Sequence, residues 1–289
     1  MDVGETALGS RPALARGHPW PSPWQLPRYW GYLRRPLMEA VTFRSQVIIW
    51  WVVLALYLYI LVVFWRAVYG ATSSAAGYTL PQMVAYVVGG QVLGFAMSAS
   101  AQWRLDRMVR DGTIVLDLLR PTSLPGALLA ESVGEVLGES VMFGLPLLVL
   151  GVVLFHARFA GRPTAYPLLA VLIAFATVLR FLIAALLGYT AFWTVRTRGI
   201  GEVFYNVFLR FLGGAWVPYA FFPRLLRNVL PWTPMAGLFN APLNFLVGRA
   251  TASATVSYVA ADALWVVLLS VLLWWTHLRA MRRVLSHGG

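Results

Sequence analysis

The stretch QVIIWWVVLALYLYILVVFWRAVY, Gln46 to Tyr69, decides the fold class. Its 24 residues hold a single charge, Arg66. As a helix rising 1.5 Å per residue it covers roughly 36 Å, enough to cross ~30 Å of hydrocarbon. Apolar on every face, it belongs in a core or in lipid. Trp50 and Trp51 near one end, and Trp65 and Tyr69 at the other, suit the two interfacial belts of a bilayer.

Five further runs repeat the pattern: Leu80 to Ala101, Ser132 to Phe155, Tyr166 to Trp193, Val203 to Phe222 and Val256 to Leu278. Phe192/Trp193 and Trp274/Trp275 extend the aromatic belts. The reading is an all-α membrane protein with six transmembrane helices spanning residues 46–283. Composition agrees: 59% of residues are hydrophobic and 12% charged, against about 25% charged in soluble domains. Residues 1–27, with prolines at 12, 19, 21, 23 and 27, read as a disordered cytosolic tail. Residues 28–45 read as an N-terminal interfacial helix, with Tyr29, Trp30 and Tyr32 in lipid and Arg28, Arg34 and Arg35 at the headgroups. Residues 284–289 read as a cytosolic C-terminal tail.

All 23 basic residues are arginine, and their positions set the orientation. Fifteen fall on one face: six before the first run, four from Arg104 to Arg120, Arg196 and Arg198, and three from Arg279 to Arg283. Six fall on the other, and Arg180 and Arg210 lie inside runs. By the positive-inside rule both termini are cytosolic, in a cell membrane. This placement also explains the net charge of +12 without nucleic acid. The chain has no cysteine, and none of its four histidines pairs with another at metal-ligand spacing. No metal site and no catalytic set can be composed from it.

Between the fifth and sixth runs, Pro223, Pro231, Pro234 and Pro242 cut Pro223 to Thr255 into short apolar pieces. These read as re-entrant or interfacial helices on the outer face, tolerable where protein or a watery cavity covers broken backbone.

The polar segment QWRLDRMVRDGTIVLDLLRP, Gln102 to Pro121, lies on the cytosolic side. Arg104, Arg107, Arg110 and Asp111 stand at helical spacings, Asp111-Gly112 offers a turn, and Ile114 to Leu119 is amphipathic. A connecting loop has no need to expose Leu116, Leu118 and Leu119, so a short helix docking on a cytosolic partner is the functional reading.

At these residues the chain resembles the type 2 ABC exporter permeases, in the branch carrying Gly-x-(Leu/Ile)-Asp-x-x-Leu-x-Arg-Pro after span two. Gly112, Ile114, Leu118, Leu119, Arg120 and Pro121 stand in that register, while the acidic position falls on Val115 and Asp117 follows two residues later. Phe43-Arg44 before span one, Ala191-Phe192-Trp193 ending span four and the proline-punctuated Tyr219 to Pro242 extend the resemblance over Tyr29 to Arg283. It implies that Gln102 to Pro121 is a cytosolic coupling helix after span 2, seated in a groove of an ABC ATP-binding subunit. It further implies two permease subunits, identical or paralogous, with substrate passing between them. ATP and Mg would sit on the partner, since these 289 residues contain no lysine and hence no P-loop.

Charges also fall at membrane depth. Glu131, Glu135 and Glu139 recur every four residues and form one stripe descending from the cytosolic side. Beyond Glu139, Ser140 to Phe155 is too short to span the hydrocarbon, which places Glu139 inside it. Arg180, at mid-span in the next run, is the expected partner of Glu139. Arg210 and Asp262 have no partner legible in sequence, and each must face protein or water. Gly90 and Gly94 form a GxxxG, read as close helix packing. The alternative to an exporter permease is an ion-coupled secondary transporter using these Glu and Arg residues, but no inverted repeat supports it.

Overall fold

The computed structural model describes residues 29–35, 38, 44–70, 72, 74–97, 100–118, 122–160, 166–194 and 204–287. The expected tail 1–27 and the site residues Leu119 and Arg120 lie outside them. Among the described residues five helices are long and apolar enough to cross a membrane: Val47–Val68, Leu80–Arg110, Leu124–Phe155, Tyr166–Phe192 and Ser253–Arg283. The chain is an all-α membrane protein whose only described strands are the paired dipeptides β1 (Ser74–Ala75) and β2 (Tyr78–Thr79).

Helix α1 covers 29–35 and α2 covers Arg44–Val68, the first span. After the β-turn, α3 (Leu80–Ala96) starts with Thr79 and Gln82 in a capping box and Pro81 in its first turn, a combination that satisfies orphan N–H groups and removes one donor. Every residue of α3 from Met83 to Gln91 is buried, and Met83, Ala85, Tyr86, Val87 and Val88 reach 0% exposure, so it is the central post of the bundle. The expected single helix to Ala101 is interrupted, and α4 (Ala101–Arg110) starts anew after Ser100.

The third span begins earlier than its expected start at Ser132. Helix α6 (Leu124–Glu139) opens with Pro125 in its first turn, follows the short α5 (Ile114–Leu118), and continues through a π-helical turn, Ser140–Gly144, into α7 (Leu145–Phe155). Pro146 accounts for the irregular turn: it donates no N–H, and its ring clashes with the carbonyl four residues back, that of Met142. The Met142 carbonyl instead accepts the indole N–H of Trp51 on α2, at 3.0 Å.

Helix α8 (Tyr166–Tyr189), closed by the 3-10 turn Thr190–Phe192, coincides with the expected fourth span. The expected fifth span differs. Its described part is a π-helix, Phe204–Phe211, and no helix continues to Phe222. Gly214 takes φ +86°, a conformation natural to glycine, and the chain turns before the 3-10 segment Tyr219–Phe221. Its freed carbonyls are met by protein: Tyr86 Oη donates to Gly214 O at 2.7 Å, and Asn240 N to Gly213 O at 3.0 Å. Gly90 permits this approach, because a Cβ there would lie 2.3 Å from the Ala215 carbonyl oxygen.

The proline-cut segment forms α9 (Arg224–Val229), the 3-10 turn Leu230–Trp232, α10 (Met235–Leu238) and α11 (Asn240–Leu246). Residues Ala236 to Leu243 are buried, with α11 against α3 and α8, so these pieces enter the bundle. The last helix, α12 (Ala252–His287), continues beyond the expected end at Leu278 and includes the start of the expected tail.

Segments expected on one membrane face gather at one end of the bundle. Tyr29 Oη accepts the Ser123 N–H at 3.0 Å, and Tyr189 Oη and His277 Nδ1 lie 2.7 Å apart. At the opposite end Ala160 N donates to Leu246 O at 3.1 Å, Tyr78 Oη donates to Asn244 Oδ1, and Arg249 donates to the Gly77 carbonyl. The Arg249 guanidinium lies 4.2 Å from the Tyr78 ring centre. Burial pushes the Tyr78 hydroxyl up to about 12 despite Arg249, so it remains a donor at physiological pH.

Trp51→Phe keeps the aromatic ring and orphans the Met142 carbonyl. The expected outcome is a loss of about 1 kcal/mol, read as a lower Tm in detergent. Trp50→Phe, without that hydrogen bond, should leave Tm unchanged.

Candidate functional site

The polar segment after α3 is built on α4, whose inner and outer faces differ sharply. Leu105 and Met108 are buried with Leu124, Leu128, Phe181, Leu182, Tyr189 and Phe192, while Arg107 and Arg110 point outward. The packing against α8 is close: a Cβ on Gly188 would lie 3.0 Å from Gln102 Cα. Asp106, 3% exposed, forms an ion pair with Arg110 one turn on. Its role was not visible beforehand, although the i, i+4 spacing was the available signal.

The glutamate stripe of α6 fastens α4 to the third span. Glu131 forms an ion pair with Arg104, both side chains less than one-fifth exposed. The Glu135 carboxylate accepts the Ser100 N–H at 2.9 Å and its hydroxyl, so an anion sits where α4 leaves its first donors unmet. Arg104 also lies 5.9 Å from the Tyr32 ring centre. Helix α1 is therefore part of the joint, and Leu33 approaches so closely that a Cβ on Gly134 would meet its carbonyl oxygen at 2.2 Å.

Helix α4 ends at a turn through Asp111 and Gly112, the latter at φ +69°, and α5 follows. Ile114 is 5% exposed and belongs to the same core as Leu105, so it anchors α5 to the body instead of offering it to a partner. Val115 and Leu116 are 52% and 62% exposed. Asp117 and Leu118 are described in their helical backbone only. Of the expected docking residues, Arg104 and Ile114 are engaged within the chain and covered, Arg110 is paired with Asp106 yet exposed, and Arg107, Asp111, Gly112 and Leu116 face outward.

The deeper charges divide. Arg180 is buried in α8 at 4% exposure. Asp262, 3% exposed, lies against α10: a Cβ on Gly237 would meet its Oδ1 at 2.0 Å, and its Oδ2 takes no hydrogen bond among the described residues. Arg210, without a legible partner in sequence, donates from Nη2 to Gln91 Oε1 at 3.3 Å. With Glu139 it lines a cavity of about 170 Å³ bounded also by Leu54, Tyr57, Gln91, Gly94 and Phe95. Gly94, read as a packing glycine, makes room for that guanidinium, since a Cβ there would lie 2.9 Å from Nη2. Gln91 itself was missed by sequence reading, though a lone glutamine in an apolar run is a detectable signal. Among the described residues no cluster of three or more His, Cys, Asp or Glu could hold a metal ion.

The Glu131–Arg104 joint predicts non-additive energetics. Glu131→Gln and Arg104→Met should each lower Tm. The double variant should recover part of the loss, with a coupling of roughly 1–3 kcal/mol; additive losses would show that the two do not act as a pair.

No curated protein and no solved structure matches this chain. The family model described as ABC-2 family transporter protein matches residues 54–288, a range that contains every long helix after the start of α2, the α4–α5 segment and the broken outer segment. The chain thus belongs to the ABC-2 transporter family as a type 2 ABC permease.

Proposed function

We propose that this multi-pass chain is the transmembrane permease subunit of an ATP-driven exporter, coupled to separate ATP-binding subunits and paired with a second permease to enclose the substrate path. The observation that carries the reading is the outward presentation of Val115 and Leu116 at the end of a helix clamped to the third span by Glu131 and Glu135. A tip held this firmly transmits a push instead of yielding to it. Leu116, Leu118 and Leu119 enter an apolar groove on the ATPase, and Arg107, Arg110, Asp111 and Arg120 form its polar rim. A few buried anchors then supply most of the affinity, and the rim charges steer docking. ATP and Mg bind the partner. The six-span layout is retained, its fifth crossing running through Phe204 to Phe222 with a broken helix, and both termini face the cytosol of a cell whose membrane holds the complex.

The ion-coupled alternative is weaker. Of the carboxylates it would use, Glu131, Glu135 and Glu139, the first two are engaged by Arg104 and Ser100.

Leu116→Ser combined with Leu118→Ser should leave the permease folded and inserted. Capture of the ATPase in mild detergent should fall on the order of tenfold or more, with transport lost in parallel. Normal capture and transport by this variant, or no ATPase captured by the wild type, would overturn the assignment. We further propose that Glu139 and Arg180 neutralise each other between the third and fourth spans. Glu139→Ala and Arg180→Ala should then each cost about 3–5 kcal/mol, with partial recovery of Tm in the double variant, and strict additivity would exclude the pair.

A further inference from the structure

The cavity between α2, α3, α6 and the Phe204–Phe211 segment has a polar wall that the fold does not satisfy. Gln91 is 4% exposed, and its Nε2 has no hydrogen-bond partner among the described residues. The Nε of Arg210 is likewise buried without one. Both residues line the same space, and the hydrogen bond between them, Arg210 Nη2 to Gln91 Oε1, uses neither of these two donors. Buried donors left unmet are costly, more so when one belongs to a cation in a low-dielectric setting. Two such donors on residues that line one cavity mark a place for an acceptor that arrives from outside.

The wall specifies that acceptor. A guanidinium and an amide N–H₂ recognise oxygen, and a charged donor strengthens the bond to an ionised one. Arg210 is the guanidinium on this wall, so one negative charge on the head is matched and a second is not, and Glu139 beside it can accept a hydrogen bond from a protonated oxygen of the head. The volume of about 170 Å³ is close to the 150 Å³ known to hold a benzene-sized ligand, so it fits a compact head and excludes a sugar chain. Leu54 and Phe95 make the rest of the wall apolar.

We propose that this cavity binds the singly ionised acidic headgroup, carboxylate or phosphate, of an amphipathic molecule, its oxygens on Arg210 Nε and Gln91 Nε2 and its tail among the apolar spans. The inference rests on the permease reading, since such a molecule is cargo only in a transporter.

The test uses the full chain in dodecyl maltoside at about pH 5, where a monoalkyl phosphate carries a single negative charge, with thermal unfolding followed during titration with dodecyl phosphate, dodecyltrimethylammonium or inorganic phosphate. Dodecyl phosphate should give a saturable rise in Tm of roughly 5 °C at a hundredfold excess over Kd, and the other two should give none. Arg210→Gln and Gln91→Leu should each weaken binding at least tenfold. Gln91→Leu keeps the side-chain volume and carries the test if Arg210→Gln does not fold. The proposal is overturned if no rise occurs, if the cationic amphiphile raises Tm equally, or if the rise persists in both variants. A full rise with inorganic phosphate alone also overturns it, in favour of a free-anion site. Capture of the ATPase on the same preparation separates the two readings: ATPase without the dodecyl phosphate response removes only the headgroup site, and the response without any ATPase removes the permease assignment.

Discussion

Hydrocarbon offers no hydrogen bonds, so each backbone group that leaves a helix at membrane depth must be met by the protein. This chain interrupts its spans repeatedly, and each interruption coincides with a dedicated partner. The Met142 carbonyl at the π turn takes the Trp51 indole N–H, the new helix start at Ser100 takes the Glu135 carboxylate, and the turn at Gly213–Gly214 takes Asn240 and Tyr86. Each partner lies on a different element from the break it serves. The irregularities are therefore also the crosslinks of the bundle, joining α2 to the third span, the third span to α4, and α3 to the segment after Phe211.

The same economy links the α4–α5 segment to the interior. Glu131 and Glu135 serve α4, and Glu139, one turn further along the stripe, faces the cavity that holds Arg210. One face of one helix thus touches both the part that would meet an ATPase and the part that holds charge at depth. Within this family such continuity is a physical route by which events at the two places can be correlated, since α6 cannot shift without altering both sets of contacts.

Helices uniform in polarity were legible in the sequence. The runs Gln46 to Tyr69 and Tyr166 to Trp193 each hold a single charge, and the helices α2 and α8 lie on them. The stripe Glu131/Glu135/Glu139 was visible because its four-residue period is local information. Its partners were not, because Arg104 and Ser100 lie across the fold and nothing in the spacing points to them. The break in the expected fifth span was hidden for a related reason. Hydropathy reports what a residue tolerates, and Gly213, Gly214, Ala215 and Trp216 are as apolar in a turn as in a helix; the decision rests with Tyr86 and Asn240. Ile114 was grouped with the exposed Leu116 because amphipathicity shows that a helix has two faces without saying which side is already covered by Leu124 and Phe181.

The π turn has a geometric consequence for the third span. Along a regular helix each residue advances about 100°, so the eight steps from Glu139 to Leu147 would swing the side chain about 80° away from the glutamate stripe. A π turn accommodates one additional residue, leaving the equivalent of seven steps, a heptad, and the offset shrinks to about 20°. Leu147 and Gly151, which with Phe155 are the buried residues of α7, are thereby brought to within about 20° of Glu139. The irregularity next to Pro146 acts as a phase corrector: it lets a sequence with a four-residue period keep one side toward the protein through the full thickness of the bilayer, where an unbroken helix would have rotated that side out to the lipid.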